Sequence, residues 1–121
     1  MCVAALVALG GCETFDESYT VQSETIIEGS GVRVFEDLQQ DMWGGEWLQY
    51  RATNLNDFAV CVQVRLNPGA RTSGHSMGSI IRVPGGETVD VGYVTTPASF
   101  NLASQVWATN EDDVCGYPPT N

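Results

Sequence analysis

Apolar residues recur at every second position along much of this chain, which is the period of a β-strand with one buried face. The clearest example is Phe58 to Leu66, FAVCVQVRL, where apolar residues alternate with a mixed set that includes Cys61. Glu46 to Thr53, EWLQYRAT, alternates in the same way and places Tyr50 and Arg51 on opposite faces. Both segments are therefore predicted to be strands, with Cys61 on the outer face of its sheet.

Turn residues separate the alternating segments, since Gly, Pro, Asn, Asp and Ser cluster between them. This spacing, without a convincing helical segment, is typical of an all-β protein. We expect an antiparallel β-sandwich of about seven strands, with immunoglobulin-like topology as the leading choice. The predicted strands are residues 19–27, 32–36, 46–53, 58–66, 79–83, 87–94 and 99–109, with connections at 37–45 and 67–78.

Length and charge narrow the classes of function. A chain of 121 residues favours a single domain, and its fifteen acidic residues against five basic ones give a net charge of −10. A surface of this sign repels phosphate backbones, so we expect no nucleic-acid partner.

The first twelve residues carry a different signal. A short apolar run, Val3 to Leu9, leads into Leu9-Gly10-Gly11-Cys12, which resembles the lipobox of bacterial lipoproteins. The resemblance implies cleavage before Cys12, acylation of that cysteine and a membrane anchor. Glu13 then implies sorting to the outer membrane in a Gram-negative cell. The alternative reading of Val3 to Leu9 is a buried strand or helical turn.

Three parts of the chain follow from this resemblance. Residues 1–11 are expected to be a lipoprotein signal peptide, residues 12–18 an acidic tether, and residues 19–121 the β-sandwich domain. A signal peptide ordinarily begins with a basic region, and here no Lys or Arg precedes Cys12. We therefore expect the true start to lie upstream of Met1.

Cysteine parity agrees with the lipobox. Cleavage removes Cys2 and acylation consumes Cys12, which leaves Cys61 and Cys115 as an even pair. In an envelope compartment the pair is expected to form a disulfide, drawing the C-terminal tail across the outside of the sheet. Two separate buried thiols are the alternative.

Residues 74–78, GHSMG, fit the G-x-S-x-G pattern of the nucleophile elbow in α/β-hydrolases. That motif needs a strand before it, a helix after it and a later histidine to accept the serine proton. His75 is the only histidine and precedes Ser76, and a β-branched segment follows. We therefore argue against a serine hydrolase and expect no catalytic residues.

His75 and Met77 in the same stretch form an H-x-M pair, a soft and an imidazole ligand for copper. Two ligands are too few for a selective site, and Met42 would join them only if the two long connections met. Copper handling is thus an alternative function, and the favoured interpretation is a flexible polar loop without a metal or other cofactor.

A binding surface is predicted around Trp43 and Trp47. Trp47, Gln49 and Arg51 share one face of their strand, and aromatic rings beside planar polar groups suit a sugar ring or a protein partner. The alternatives are that the tail tethered through Cys115 covers this face, or that Trp47 lies in the core after a β-bulge. Our leading expectation is a non-catalytic, lipid-anchored cell-envelope protein, on the periplasmic face of the outer membrane, which binds an envelope protein or the cell wall.

Overall fold

The structure is a computed structural model that describes residues 18–119. Within this range the chain forms seven strands and no helix, and accordingly the described residues contain no helix long and apolar enough to cross a membrane. The strands are β1 (Ser18–Gly29), β2 (Val32–Asp41), β3 (Glu46–Asn54), β4 (Val60–Leu66), β5 (Ile80–Val83), β6 (Thr88–Thr95) and β7 (Leu102–Ala108).

The strands form two antiparallel sheets, which confirms the predicted all-β sandwich. One sheet has four strands in the order β1-β2-β3-β6, and the other has three in the order β5-β4-β7. The order of a constant-type immunoglobulin domain is 1-2-5-4 against 3-6-7. The finer expectation of immunoglobulin-like topology is therefore not confirmed.

The hairpin of β1 and β2 is longer than the sequence pattern indicates. Ser30 and Gly31 turn the chain with positive φ values of 54° and 75°, as a two-residue hairpin requires. β2 then continues to Asp41, so the predicted connection at 37–45 is wrong for its first half. Polar residues occupy both faces of this part of β2, so no alternation of apolar and polar residues marks it as a strand. β2 lies between β1 and β3 and pairs with both, and its outer side chains form hydrogen bonds.

The core lies between the two sheets and is built mainly from valine. β-branched side chains suit a pleated surface, and Tyr50 of β3 is the largest side chain that is fully buried. Met77, which belongs to no strand, also packs in the core. The buried apolar cluster is Val32, Val34, Tyr50, Ala52, Val60, Val62, Val64, Met77, Val83, Val91 and Val94.

A buried asparagine closes one end of the sandwich. Asn54 Nδ2 donates to the carbonyls of Phe58 and Val83 at 2.7 and 3.0 Å, and Asn54 Oδ1 accepts from the Asn56 backbone N–H. These bonds hold residues 55–59 as a turn, so β4 begins at Val60. Phe58 was predicted on the core face of the strand but is 58% exposed in this turn.

The disulfide between Cys61 and Cys115 is present, with a Cα–Cα distance of 5.7 Å. Cys61 lies on the face of β4 that points away from the core, beside Trp107 of β7. The tail is held there further, because Arg82 of β5 forms an ion pair with Asp113. As predicted, the C-terminal tail crosses the outside of the three-stranded sheet, and this cover leaves Cys61 fully buried.

Candidate functional site

The predicted binding residues lie on the outer face of the four-stranded sheet. Trp47, Gln49 and Arg51 alternate along β3 with Tyr50 and Ala52, which are fully buried. Two alternatives from the sequence are thereby wrong. Trp47 is partly exposed on the face opposite the core, and the tail at Cys115 covers the other sheet.

Hydrogen bonds fix the side chains of Trp47 and Gln49. The Trp47 indole Nε1 donates to Gln49 Oε1 at 3.3 Å, and Gln49 Nε2 donates to the carbonyl of Gly92 in β6 at 3.2 Å. One N–H of each side chain is therefore used within the sheet, and the indole is held by its polar edge.

A groove with a volume of about 370 Å³ runs beside Trp47. Its aromatic lining is Trp47 and Tyr93, which are diagonal neighbours because Trp47 pairs with Thr95 across β3 and β6. Asp41 and Glu46 supply two carboxylates at the same groove, and Tyr93 is 41% exposed. The groove therefore combines apolar rings with negative charge.

Trp43 stands in the turn beside this groove and is 74% exposed. Asp41 builds the turn, since its Oδ1 accepts the backbone N–H groups of Trp43 and Gly45 at 2.9 and 2.8 Å. Gly44 has a φ of 87°, a conformation that favours glycine. The turn thus projects an indole into solvent and places the Asp41 carboxylate in the groove.

Arg51, the fourth predicted residue, is engaged within the sheet. Its guanidinium donates to both carboxylate oxygens of Asp37, at 2.6 and 3.1 Å, and to Ser23 Oγ at 3.2 Å. The guanidinium carbon also lies 4.7 Å from the centre of the Phe35 ring. Arg51 therefore ties β1, β2 and β3 together across the outer face.

The pKa values of this pair agree with that role. Burial of the Asp37 carboxyl raises its pKa, but hydrogen bonds from Arg51 and Ser23 and the attraction of the Arg51 charge outweigh it, so the pKa lies below its usual range. The hydrogen bond to Asp37 raises the pKa of Arg51, despite opposition from partial burial. Both groups are charged at neutral pH.

The GHSMG stretch is fastened to the edge of β6. The Ser76 backbone N–H donates to the Tyr93 carbonyl, and Ser76 Oγ accepts from the Tyr93 backbone N–H, both at 3.0 Å. The Thr95 N–H donates to the carbonyl of Gly74 at 2.9 Å. The segment is a connection between strands, as predicted, and backbone bonds to β6 hold residues 74–76. Ser76 closes an edge and has no strand-turn-helix context around it.

His75 and Met77 differ in burial. His75 is exposed, whereas Met77 is buried against Gly92, where an added Cβ would lie 2.6 Å from the Met77 sulfur. His75 Nδ1 accepts the Met77 backbone N–H at 3.1 Å. The thioether therefore fills the core, and within residues 18–119 no group of three or more His, Cys, Asp or Glu side chains is arranged to hold a metal ion.

Sequence reasoning missed Asp37, Asp41 and Tyr93. The first two fall in the segment predicted as a connection, and strict alternation with Val89 and Val91 predicts that Tyr93 faces the core. A β-bulge at Val91, beside the pair of Tyr50 and Gly92, changes the alternation of β6. Val91 and Val94 therefore face the core and Tyr93 faces outward. A glycine inside a strand, here Gly92, is the sequence signal that indicates a bulge, and in the structure its φ is 144°.

In comparisons with known proteins, no protein-family model, no curated protein and no solved structure matches this chain. The predicted acylation site, Cys12, lies outside the described residues.

Proposed function

We propose that this chain is a non-catalytic, lipid-anchored protein of the bacterial cell envelope that acts by binding a protein or cell-wall partner. The observation that carries the proposal is the open aromatic groove on the outer face of the four-stranded sheet, with Trp43 exposed beside it. Tryptophan and tyrosine contribute strongly to binding energy at interfaces, and monomeric proteins seldom expose them together without use.

Two further features support the envelope location. The stretch Leu9-Gly10-Gly11-Cys12 resembles a lipobox, and the Cys61–Cys115 disulfide suits a compartment that permits oxidation. Glu13 after the cysteine favours the outer membrane of a Gram-negative cell. The anchor places the domain close to the membrane, because about ten residues or fewer link Cys12 to the first strand.

Site-specific photocrosslinking in intact cells tests the binding function. A photoreactive residue at position 43 is expected to give a discrete crosslinked product, and one at Leu55 is expected to give none. The two positions form a matched pair, since Trp43 and Leu55 are both exposed apolar residues, just before and just after β3. Equal crosslinking at both positions, or none at either, would contradict the proposed contact surface.

Membrane fractionation tests the anchor separately. Cys12→Ala is expected to abolish labelling by radioactive palmitate and to move the protein from the outer-membrane fraction to the soluble fraction. Glu13→Asp provides a sorting control, because it keeps the acylated cysteine and is expected to shift the protein to the inner membrane. An unchanged outer-membrane location of Cys12→Ala would refute the anchor.

A further inference from the structure

We infer that the groove beside Trp47 takes a cationic side chain, an arginine or lysine on a basic segment of a partner protein. The inference rests on the proposed function, because it names the chemistry of the partner at that same surface. It depends on the charges and the hydrogen-bonding groups that line the groove, and on the absence of a basic residue among them.

The groove offers negative charge and aromatic faces together. Asp41 and Glu46 are its charged lining residues, and no basic residue lines it. Trp47 and Tyr93 line the groove with aromatic rings, and tryptophan is the best aromatic partner for a cation. A guanidinium or ammonium group can pack on a ring while it donates hydrogen bonds to a carboxylate.

Two N–H donors beside the groove are engaged within the sheet. Trp47 Nε1 donates to Gln49, and Gln49 Nε2 donates to the carbonyl of Gly92. In the turn, the backbone N–H groups of Trp43 and Gly45 donate to Asp41 Oδ1, and that of Gly44 donates to the Asp41 carbonyl. The carboxylates of Asp41 and Glu46 only accept hydrogen bonds, and a groove with two carboxylates is complementary to a ligand that donates.

An anionic ligand finds no matching charge here. Arg51, the basic residue of the same strand, is held by Asp37 and Ser23 and lies against the Phe35 ring. A phosphate, sulfate or carboxylate would instead meet the charges of Asp41 and Glu46. A glycan that depends on N–H donors from the protein is also a poorer match than a cation.

The charge of the whole chain favours the same partner. The net charge is −10, and three of the five arginines form ion pairs, Arg33 with Glu28, Arg51 with Asp37 and Arg82 with Asp113. The surplus of acid attracts a basic partner at long range, and the groove then binds one of its side chains. The volume of about 370 Å³ accommodates a long basic side chain.

Calorimetric titration of the full-length chain in mild detergent tests the inference. The probe is an acetylated and amidated peptide of alternating glycine and arginine, and the comparison peptide carries neutral citrulline in place of arginine. The arginine peptide is expected to bind at least about 10-fold more tightly, and its affinity to fall as salt rises. Equal affinity for the two peptides would overturn the inference.

Matched variants localise the effect. Trp47→Leu is expected to weaken the arginine peptide by about 10-fold through loss of the ring face, and Glu46→Gln by about 3- to 10-fold. Glu87→Gln removes the same charge from an exposed residue just before β6, outside the groove, and is expected to change affinity less than 2-fold. Equal losses for Glu46→Gln and Glu87→Gln would mean general charge attraction and would overturn the inference.

A third titration separates failure of this inference from failure of the proposed function. If an N-acetylglucosamine tetramer binds and the arginine peptide does not, the cationic partner is refuted while a cell-wall partner is supported. If neither binds but position 43 still crosslinks in cells, the inference is again refuted and the contact surface stands. If the arginine peptide binds and position 43 gives no crosslink, the inference about the groove stands and the proposed function fails.

Discussion

Removal of the Cys61–Cys115 disulfide is the sharpest test of how this fold is stabilised. The two cysteines are 54 residues apart in sequence, so the bond restricts a large loop of the unfolded chain. In the loop-entropy treatment such a loop corresponds to about 4 kcal/mol at 25 °C. Single domains of this size have a free energy of unfolding of about 5–15 kcal/mol. The bond therefore contributes a large share of the stability.

We expect the double variant Cys61→Ala, Cys115→Ala to lose about 3–4 kcal/mol and its Tm to fall by roughly 15 °C or more. Urea unfolding followed by circular dichroism measures the free energy, and the slope with denaturant shows whether the unfolded state has expanded. Alanine is chosen because Cys61 is fully buried and a serine hydroxyl there would need a partner.

Arg82→Gln is the control for this experiment. It removes the ion pair between the tail and β5 but keeps the disulfide, and an exposed pair of this kind contributes less than about 1 kcal/mol. A double cysteine variant that loses less than about 1 kcal/mol would refute the reasoning. So would an Arg82→Gln variant that loses as much as the double variant, because contacts of the tail would then stabilise the fold in place of the cross-link.

Two other substitutions and the titration of one tyrosine test the interior and the outer face. Gly92→Ala should cost about 2–3 kcal/mol, since an added Cβ meets the Met77 sulfur at 2.6 Å and φ is 144°. Asp37→Asn should cost about 1–2 kcal/mol at pH 7 by weakening the bonds to Arg51. The pKa of Asp37 is lowered, so this stabilisation is present above about pH 4, the unfolded value, and is lost as pH falls through the folded value. Burial, and the hydrogen bond that the Tyr50 hydroxyl donates to the Glu36 carboxylate, raise the pKa of Tyr50. The neutral hydroxyl therefore stabilises the fold in full below about pH 10, and this stabilisation declines at higher pH.

Each of these predictions has a distinct measurement. Urea unfolding at pH 7 should give the loss for Gly92→Ala, and wild-type stability there would contradict the close approach of Met77. For Asp37→Asn, the gap in free energy of unfolding to the wild type should narrow as the pH falls below about 4, and a gap that widens would reverse the sign of the argument. Ultraviolet titration of phenolate should leave Tyr50 neutral until the protein unfolds, and Tyr50→Phe identifies its contribution to the absorbance.

The strands could be read from the sequence because they depend on local pattern, and the disulfide because cysteine parity leaves a single pair. Alternation over Phe58 to Leu66 predicts which residues face the core, and it placed Cys61 on the outer face correctly. The errors occur where two patterns conflict. Polar residues on both faces concealed the second half of β2, and the buried Asn54 drew Phe58 out of the strand into a turn.

The candidate site was only partly predictable for a related reason. Trp47, Gln49 and Arg51 share a face by simple alternation within one strand, so the sequence alone places them together. Tyr93 and Asp41 reach the same groove only through the pairing of β6 with β3 and through the turn after β2. The residues next to Tyr93 and Asp41 in the sequence do not indicate which strands will pair.

The sequence by itself determined the all-β class, the outward position of Cys61 and the acidic character of the whole surface, because each depends on residue type or on a period of two along the chain. Only the tertiary structure decided that the C-terminal tail leaves the face of Trp47 uncovered, that Met77 fills the core while His75 stays outside, and that Arg51 is engaged by Asp37. These outcomes depend on the order of strands in the sheets, and contacts between distant strands are decided by how the two faces pack together.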